Sequence, residues 1–282
     1  MGIRTDLAIE LREQTDETDG INLKTYDDEH LKVTHIKVTN DTGSKAIGKP
    51  IGTYINIDVP DLALHGGDYR LLEDLLLKEL NTFSFAKNNI LVVGLGNRNV
   101  TPDTLGPASA DRILATRHLS KELREQTGLL GLKDVSVILP GVLGQTGIET
   151  LEIIKGIVEN LKIEGVILID AFAAGEITRL GTTIQLSDTG LSPGSGVGNN
   201  RKEISPATLK IPVLSIGVPT CVDAATLAKS FTGAPLKKGT EQMIVTPREI
   251  DLLIDRAASV LSKSINRYLQ PDTERDLLLS IV

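Results

Sequence analysis

The sequence predicts an α/β fold of three layers, in which helices cover both faces of a mostly parallel sheet. Four short apolar segments (90–93, 135–139, 166–169 and 213–216) each stand before a loop rich in Gly, Pro or Asp, with helical patterns between them. Strands that alternate with helices in this way are typical of a parallel sheet. Because 40% of the residues are hydrophobic but only 3% are aromatic, we expect a mainly aliphatic core.

The chain before residue 90 follows a different pattern. Residues 10–30 are rich in acids and poor in apolar side chains, which predicts a solvated segment. Residues 31–38 and 54–59 alternate apolar and polar side chains and predict an N-terminal antiparallel β hairpin at the edge of the sheet. Leucines at helical spacing predict a helix over 68–80. With no internal repeat, residues 1–282 are expected to form a single domain.

Two further helices are predicted after residue 140. Apolar side chains at helical spacing mark the first, over 146–161. The second follows Thr246-Pro247-Arg248-Glu249, which has the sequence of a capping box with Pro at the first helical position. We therefore expect that helix to begin there and to end near Tyr268.

Composition excludes several classes of function. A net charge of −7 argues against nucleic-acid binding, which needs clustered cations. The chain has one cysteine, Cys221, so it has no internal disulfide, which favours a reducing compartment. The first residues lack the apolar segment of a signal peptide, and no apolar run approaches the ~20 residues that span a bilayer. These features predict a cytoplasmic protein without direct contact with nucleic acid or membrane.

Two acids follow predicted strands. Asp103 comes after strand 90–93 and the turn Gly94-Leu95-Gly96-Asn97, and Asp170 directly follows strand 166–169. Because ligands bind beyond the carboxyl ends of parallel strands, we expect both acids at one site. Two neighbouring carboxyls share a proton, so one can activate water while the other protonates a leaving amine. For Asp103 alone, the alternative is an acid that stabilises a helix N-terminus.

Other motifs give weaker predictions. The Gly94 turn has Asn99 where a dinucleotide fingerprint has its third glycine, which disfavours a nucleotide cofactor. Asp188-Thr189-Gly190 matches the motif of pepsin-like proteases, but those are all-β proteins. The four histidines lack the spacing of a zinc-protease helix. We therefore expect neither a cofactor nor a metal. The glycine-rich loop 187–205 is either a hairpin connection or a loop that grips substrate.

Several sequence blocks together resemble the germination proteases of endospore-forming bacteria. They are 3–8, 94–107, 140–147, 182–190, 193–199, 217–220 and 244–249. The resemblance implies a fold similar to the hydrogenase maturation proteases, a homotetramer and synthesis as a self-cleaving zymogen. It also implies an endopeptidase that degrades small acid-soluble spore proteins during germination, within the forespore or spore core. By motif, the catalytic pair of that family falls on Asp103 and Asp170.

The resemblance also implies a cleavage pattern, in which the cut follows an acidic residue and precedes a hydrophobic residue and then Ala. Asp6-Leu7-Ala8 has this pattern within the chain itself. We therefore expect self-cleavage between Asp6 and Leu7, with residues 1–6 as the propeptide.

An acidic side chain before the scissile bond is expected to need a cation in its pocket. Arg98, Arg201 and Lys202 are the candidates, because they lie in loops of the predicted site. Asn97 and Asp188, within the blocks that carry the resemblance, are further substrate-binding candidates.

Two alternatives to an aspartate-based endopeptidase stay open. In a metal-dependent protease of the maturation type, acids at these strand ends would hold a metal, and chelators would abolish activity. A non-catalytic module would bind peptides of the acid-hydrophobe-Ala pattern without turnover.

Overall fold

The protein is described by a computed structural model over residues 4–64, 66–83, 85, 87–129, 131–197, 201–232 and 243–271. Over these residues a single large sheet carries helices on both faces, so the predicted α/β class and three-layer arrangement are confirmed. Residues 1–3 of the predicted propeptide and 198–200 of the glycine-rich loop lie outside the described residues.

The described part of the chain contains nine strands and ten α-helices. The strands are β1 (Ile21–Asp28), β2 (Leu31–Val38), β3 (Gly52–Asp58), β4 (Asn89–Gly94), β5 (Asp134–Ile138), β6 (Gly165–Ala174), β7 (Thr183–Ser187), β8 (Val213–Asp223) and β9 (Ile244–Val245). The helices are α1 (Ala8–Glu13), α2 (Asp41–Ile47), α3 (Arg70–Leu80), α4 (Leu105–Ala110), α5 (Lys121–Thr127), α6 (Leu143–Thr146), α7 (Thr150–Leu161), α8 (Pro206–Leu209), α9 (Ala224–Thr232) and α10 (Ile250–Leu269).

The strands lie in the order β1-β2-β3-β7-β8-β6-β4-β5, and β9 pairs with β8. The four predicted apolar segments form the parallel half, β8-β6-β4-β5, and the predicted hairpin is β2-β3. Two strands that sequence reasoning missed, β1 and β7, enlarge the antiparallel half, and β7 joins the hairpin to β8. The N-terminal hairpin is thus continuous with the main sheet.

Three local expectations are corrected. The acidic segment 10–30 contains strand β1, which pairs with β2. The side chains of β1 are mostly exposed, so its sequence lacks the apolar period that predicts a strand. The helix expected over 146–161 is interrupted at Gly147, which has a φ of 69° and separates α6 from α7. The capping box at Thr246 does not form, because its hydroxyl donates to the carbonyl of Thr220 at 3.0 Å and α10 begins later, at Ile250.

The two faces of the sheet have separate cores. On one face, α3, α4 and α10 pack on alternate residues of the central strands, such as Val92 and Ile169. On the other face, α7 covers the parallel strands around Val93 and Leu168, while α1 and α2 cover β2 and β3. Asp170 follows Leu168 on that second face, so its side chain points toward the side that carries α1.

Gly106 at the start of α4 allows the helix to lie against the ends of two strands. A Cβ at this position would overlap the carbonyl oxygens of Leu95 and Ile169. Those strand ends are joined by a hydrogen bond from the Leu95 N–H to the Ile169 oxygen at 2.8 Å. The glycine therefore sets the distance between α4 and the edge where the candidate acids lie.

Replacing Gly106 with alanine should lower the free energy of unfolding by about 1–3 kcal/mol, because backbone atoms must move to accept the methyl group. Denaturant unfolding measures the loss. Gly156→Ala in α7 is the matched control: nothing lies within 4 Å of its added methyl. It should stabilise the helix by about 0.5–1 kcal/mol. Equal effects of the two substitutions would contradict this account.

Candidate active site

Asp103 ends a 3-10 turn (Thr101–Asp103) between β4 and α4. The Asn97 N–H donates to its carboxylate at 2.8 Å and to its carbonyl at 3.1 Å, so the loop after β4 closes around it. Gly96 has a φ of 118°, and a side chain there would strike the Asp103 carbonyl. The Thr220 hydroxyl also donates to the carbonyl of Pro102 at 2.6 Å, which ties the turn to β8. Asp103 also lies in the first turn of this 3-10 helix, so its alternative role in stabilising a helix N-terminus stays a prediction.

Asp170 lies inside β6, opposite Gly217 of β8, with 6% of its surface exposed. Its carboxyl accepts a hydrogen bond of 2.9 Å from the N–H of Ala171. A carboxylate with so little compensation is costly to bury, which favours its neutral form.

Both acids have raised pKa values. Burial raises the pKa of Asp103 to about 6, against the opposing hydrogen bond from Asn97. Burial raises the pKa of Asp170 well above its usual range, and the negative charges of Asp103 and Asp6 raise it further. The structure thus brings the two predicted acids into electrostatic contact. Both carboxyls therefore keep a proton to a higher pH than an ordinary aspartate does.

The N-terminal segment occupies the cleft beside Asp170. The Asp6 N–H donates to the Ala173 carbonyl, and the Ala173 N–H donates to the Asp6 carboxylate, both at 2.9 Å. The Ser195 hydroxyl donates to the other carboxylate oxygen at 2.6 Å. Asp6 is therefore held through both its backbone and its side chain.

The carbonyl oxygen of Asp6 receives two further hydrogen bonds. Lys49 Nζ donates at 2.9 Å and Gln185 Nε2 donates at 3.2 Å. Burial lowers the pKa of Lys49, and the negative charge of Asp6 opposes that shift. Gln185 Oε1 also accepts from the N–H of Ala8 at 2.6 Å. The Gln185 amide therefore contacts the Asp6 carbonyl and the Ala8 N–H, on either side of Leu7.

The residues after Asp6 are packed into the protein. Leu7 and Ala8 have 0% exposure, and Leu7 belongs to the apolar cluster of α1, α2 and β6. Glu10 in α1 anchors this helix to the end of β6. Its carboxylate accepts hydrogen bonds from the N–H groups of Gly175 at 2.7 Å and Glu176 at 2.9 Å. In the acid-hydrophobe-Ala segment, Leu7 has an extended backbone and Ala8 is the first residue of helix α1.

Each of the three predicted cations has another contact in the described part of the chain, and its part in binding the acidic side chain stays a prediction. Arg98 pairs with Asp111 at 2.7 Å, and Lys202 pairs with Glu152 at 2.8 Å, both on the exposed surface. The Arg201 N–H donates to the Pro193 carbonyl at 3.3 Å. Among the described residues, the hydrogen bonds to the Asp6 carboxylate come from Ala173 and Ser195 instead.

The other two substrate-binding candidates have local contacts. Asn97 holds Asp103 through its backbone, and its side-chain oxygen accepts from Gln145 at 2.8 Å. The Asp188 carboxylate accepts from the Thr53 N–H at 2.7 Å and so joins β3 to the end of β7. Their part in substrate binding stays a prediction.

Sequence reasoning missed Lys49, Gln185, Ser195 and Glu10. Gln185 and Ser195 stand in blocks that carry the family resemblance, but nothing in their spacing indicated contact with residue 6. Lys49 lies between Gly48 and Pro50 in a segment that gave only a turn signal.

The described residues offer no group of three or more His, Cys, Asp or Glu side chains placed to hold a metal ion. No helix among these residues is long and apolar enough to cross a membrane.

Comparison with known proteins identifies the family. The model of the family described as Germination protease matches residues 3–238. A germination protease from Caldanaerobacter subterraneus subsp. tengcongensis is 42% identical, over 98% of this chain and 97% of that protein. One from Clostridium acetobutylicum is 38% identical, over 96% of both chains. One from Geobacillus sp. (strain WCH70) is 44% identical, over 86% of this chain and 69% of its own.

Among solved structures, a [NiFe] hydrogenase maturation protease, HycI from Thermococcus kodakarensis KOD1, gives a TM-score of 0.40 at 19% identity. It covers 71% of this chain and 98% of its own. The family matches make the chain a protease, a hydrolase whose substrate is a protein. The chain belongs to the germination protease family.

The buried state of Asp103 should make stability depend on pH. Because its pKa rises from 3.8 to about 6 on folding, the protonated form favours the folded state below pH 4, and this advantage disappears as the pH rises through 6. The free energy of unfolding of Asp103→Asn, taken relative to wild type, should therefore be about 1–3 kcal/mol higher at pH 7 than at pH 3.5. Denaturant unfolding at both pH values measures the gain. Asp74→Asn, on the exposed surface of α3, is the control and should show no comparable gain.

Proposed function

We propose that this chain is a self-processing endopeptidase that cuts its own Asp6–Leu7 bond. The observation that carries the proposal is the position of that bond: the carbonyl and the side chain of Asp6 are both bound, in the same cleft as Asp170. A segment of the predicted cleavage pattern is thus held by its backbone, as a substrate would be. Residues 1–6 are the propeptide in this proposal.

Asp103 and Asp170 supply the acid–base chemistry. Asp103, the more readily ionised of the two, takes a proton from water as it attacks the Asp6 carbonyl carbon. Asp170, protonated by burial and by neighbouring charge, gives a proton to the nitrogen of Leu7 as the C–N bond breaks. The products are a new carboxyl terminus at Asp6 and a new amino terminus at Leu7.

The pocket for the acidic side chain is formed by hydrogen-bond donors. The Ala173 N–H and the Ser195 hydroxyl each contact one oxygen of the Asp6 carboxylate. Gly196 lines the same space, because a Cβ there would overlap the carboxylate. Charge-assisted hydrogen bonds of this kind favour an acid over a neutral side chain. We infer that these groups, rather than Arg98, Arg201 or Lys202, recognise the residue before the cut.

The wider function follows from family membership. We propose that the substrates in trans are small acid-soluble spore proteins, cut after Glu or Asp and before a hydrophobic residue and Ala, during germination in the spore core. A homotetramer is part of the same proposal. Exposed apolar side chains around β9, among them Phe231, Met243 and Ile244, support a contact between subunits there.

Replacing either Asp103 or Asp170 with asparagine should slow cleavage of the Asp6–Leu7 bond by about 10²–10⁴-fold, because each variant lacks one partner in proton transfer. Purified full chain is incubated and its amino terminus sequenced over time, and wild type should begin at Leu7. Its rate should rise as the pH passes about 6, where Asp103 ionises. Asp255→Asn, an exposed acid that pairs with Arg112, should process normally.

Four results would contradict the proposal. Wild type cut at another bond would refute the cleavage site, and normal processing by both variants would refute the acid pair. Processing that stops with a chelator and returns with added metal would favour the metal-dependent alternative. If wild type binds a peptide spanning residues 1–14 but never cuts it or itself, the non-catalytic alternative is correct.

Substitutions in the pocket for the Asp6 side chain should show whether this pocket or the surface cations recognise the residue before the cut. Ser195→Ala removes a donor to a charged group and should slow self-cleavage about 10–100-fold. Gly196→Ala should also slow it, because the methyl group occupies the place of the Asp6 carboxylate. Gly67→Ala, with nothing within 4 Å, is the control. A combined variant with Gln at 98, 201 and 202 should keep the wild-type rate, and a large loss in that variant would restore the cations as the recognition groups.

A further inference from the structure

We propose that Lys49 and Gln185 bind the carbonyl oxygen of the scissile bond and stabilise the negative charge that it acquires during peptide hydrolysis. The inference rests on the proposed cleavage between Asp6 and Leu7. It assigns catalytic contacts to two residues beyond the aspartate pair.

The geometry places both donors on the same oxygen. Lys49 Nζ lies 2.9 Å from the Asp6 carbonyl oxygen, and Gln185 Nε2 lies 3.2 Å from it. They arrive from different elements: Lys49 follows α2, and Gln185 is central in β7 with 4% of its surface exposed. Two preorganised donors on one carbonyl oxygen are the arrangement that stabilises the oxyanion in acyl transfer.

The second contact of Gln185 fixes the orientation of the bond. Its Oε1 accepts from the Ala8 N–H at 2.6 Å while its Nε2 donates to the Asp6 carbonyl. One side-chain amide thus holds the groups on both sides of Leu7. The amide cannot rotate without breaking both contacts, so its N–H group stays directed at the scissile carbonyl.

The buried ammonium of Lys49 is better matched to an oxyanion than to a neutral carbonyl. The Lys49 ammonium contacts the Asp6 carbonyl oxygen, and the negatively charged Asp6 side chain lies nearby. A buried cation beside a neutral acceptor recovers little of its lost hydration, whereas a full negative charge on that acceptor recovers much more. The interaction therefore strengthens as the reaction proceeds, which is the condition for lowering the barrier.

The chemical step is balanced with these groups in place. The oxygen of water bonds to the Asp6 carbonyl carbon, one water proton moves to Asp103, and the C=O electron pair moves to the oxygen held by Lys49 and Gln185. The C–N bond then breaks as Asp170 delivers its proton to the Leu7 nitrogen. The electron pair returns to restore the C=O group, and no oxidant or additional reactant is required.

The test measures self-cleavage of the full chain together with docking of its N-terminal segment. Lys49→Met should lower the first-order rate of the Asp6–Leu7 cut by about 10²–10³-fold, the usual loss for one oxyanion donor. Hydrogen exchange of the Ala8 N–H should stay as slow as in wild type, because Gln185 still holds it. Lys45→Met, an exposed lysine on α2, is the matched control and should leave both measurements unchanged.

Gln185→Glu provides a second variant, since it keeps an acceptor for Ala8 but loses the N–H donor. It should also cut slowly while Ala8 stays protected. A wild-type rate in both variants would overturn the inference, as would a slow rate accompanied by lost Ala8 protection, which would mean that these residues only dock the segment. If wild type itself leaves the Asp6–Leu7 bond intact, the proposed function fails and the inference fails with it.

Discussion

The site depends on the burial of two carboxyl groups, those of Asp103 and Asp170, which form no ion pair with the residues that the structure describes. Asp170 lies within a strand, and its pKa is raised first by burial and then by the charges of Asp103 and Asp6. Such surroundings favour the protonated form of Asp170, while burial raises the pKa of Asp103 to about 6. In the proposed mechanism these two identical side chains act as a base and an acid. Asp170 lies within β6, whereas Asp103 lies in the turn after β4.

Backbone constraints support this arrangement. Gly96 lets the chain turn after β4 so that the Asn97 N–H reaches Asp103, and Gly106 lets α4 lie against the ends of β4 and β6. Because the strands are parallel, their carboxyl ends meet at this same edge. Side chains from the antiparallel half, above all Gln185 of β7, complete the cleft from the opposite direction. A sheet with only its parallel half would lack the groups that hold the Asp6 carbonyl.

The sequence was sufficient to predict the elements whose hydrophobic pattern is strong. Apolar segments followed by acids led to Asp103 and Asp170, and the Asp6-Leu7-Ala8 pattern indicated the segment that lies in the cleft. Strand β1 was missed because its edge position leaves most of its side chains exposed, so it has no apolar period. Strand β7 is buried on both faces and only five residues long, which is too short for its period to be distinguished. Lys49 and Gln185 were missed for another reason: their partners are backbone atoms distant in sequence.

The expectation that Arg98, Arg201 or Lys202 binds the acidic side chain stays a prediction. Lys49 does lie near Asp6, yet its ammonium contacts the backbone carbonyl, while the carboxylate is held by an N–H and a hydroxyl. A cation paired directly with that carboxylate would cancel its field. Left without such a partner, the Asp6 charge contributes to the raised pKa of Asp170. In the proposed mechanism, the acidic residue before the cut therefore helps to keep the general acid protonated, so recognition of the side chain and proton donation to the leaving amine are electrostatically coupled.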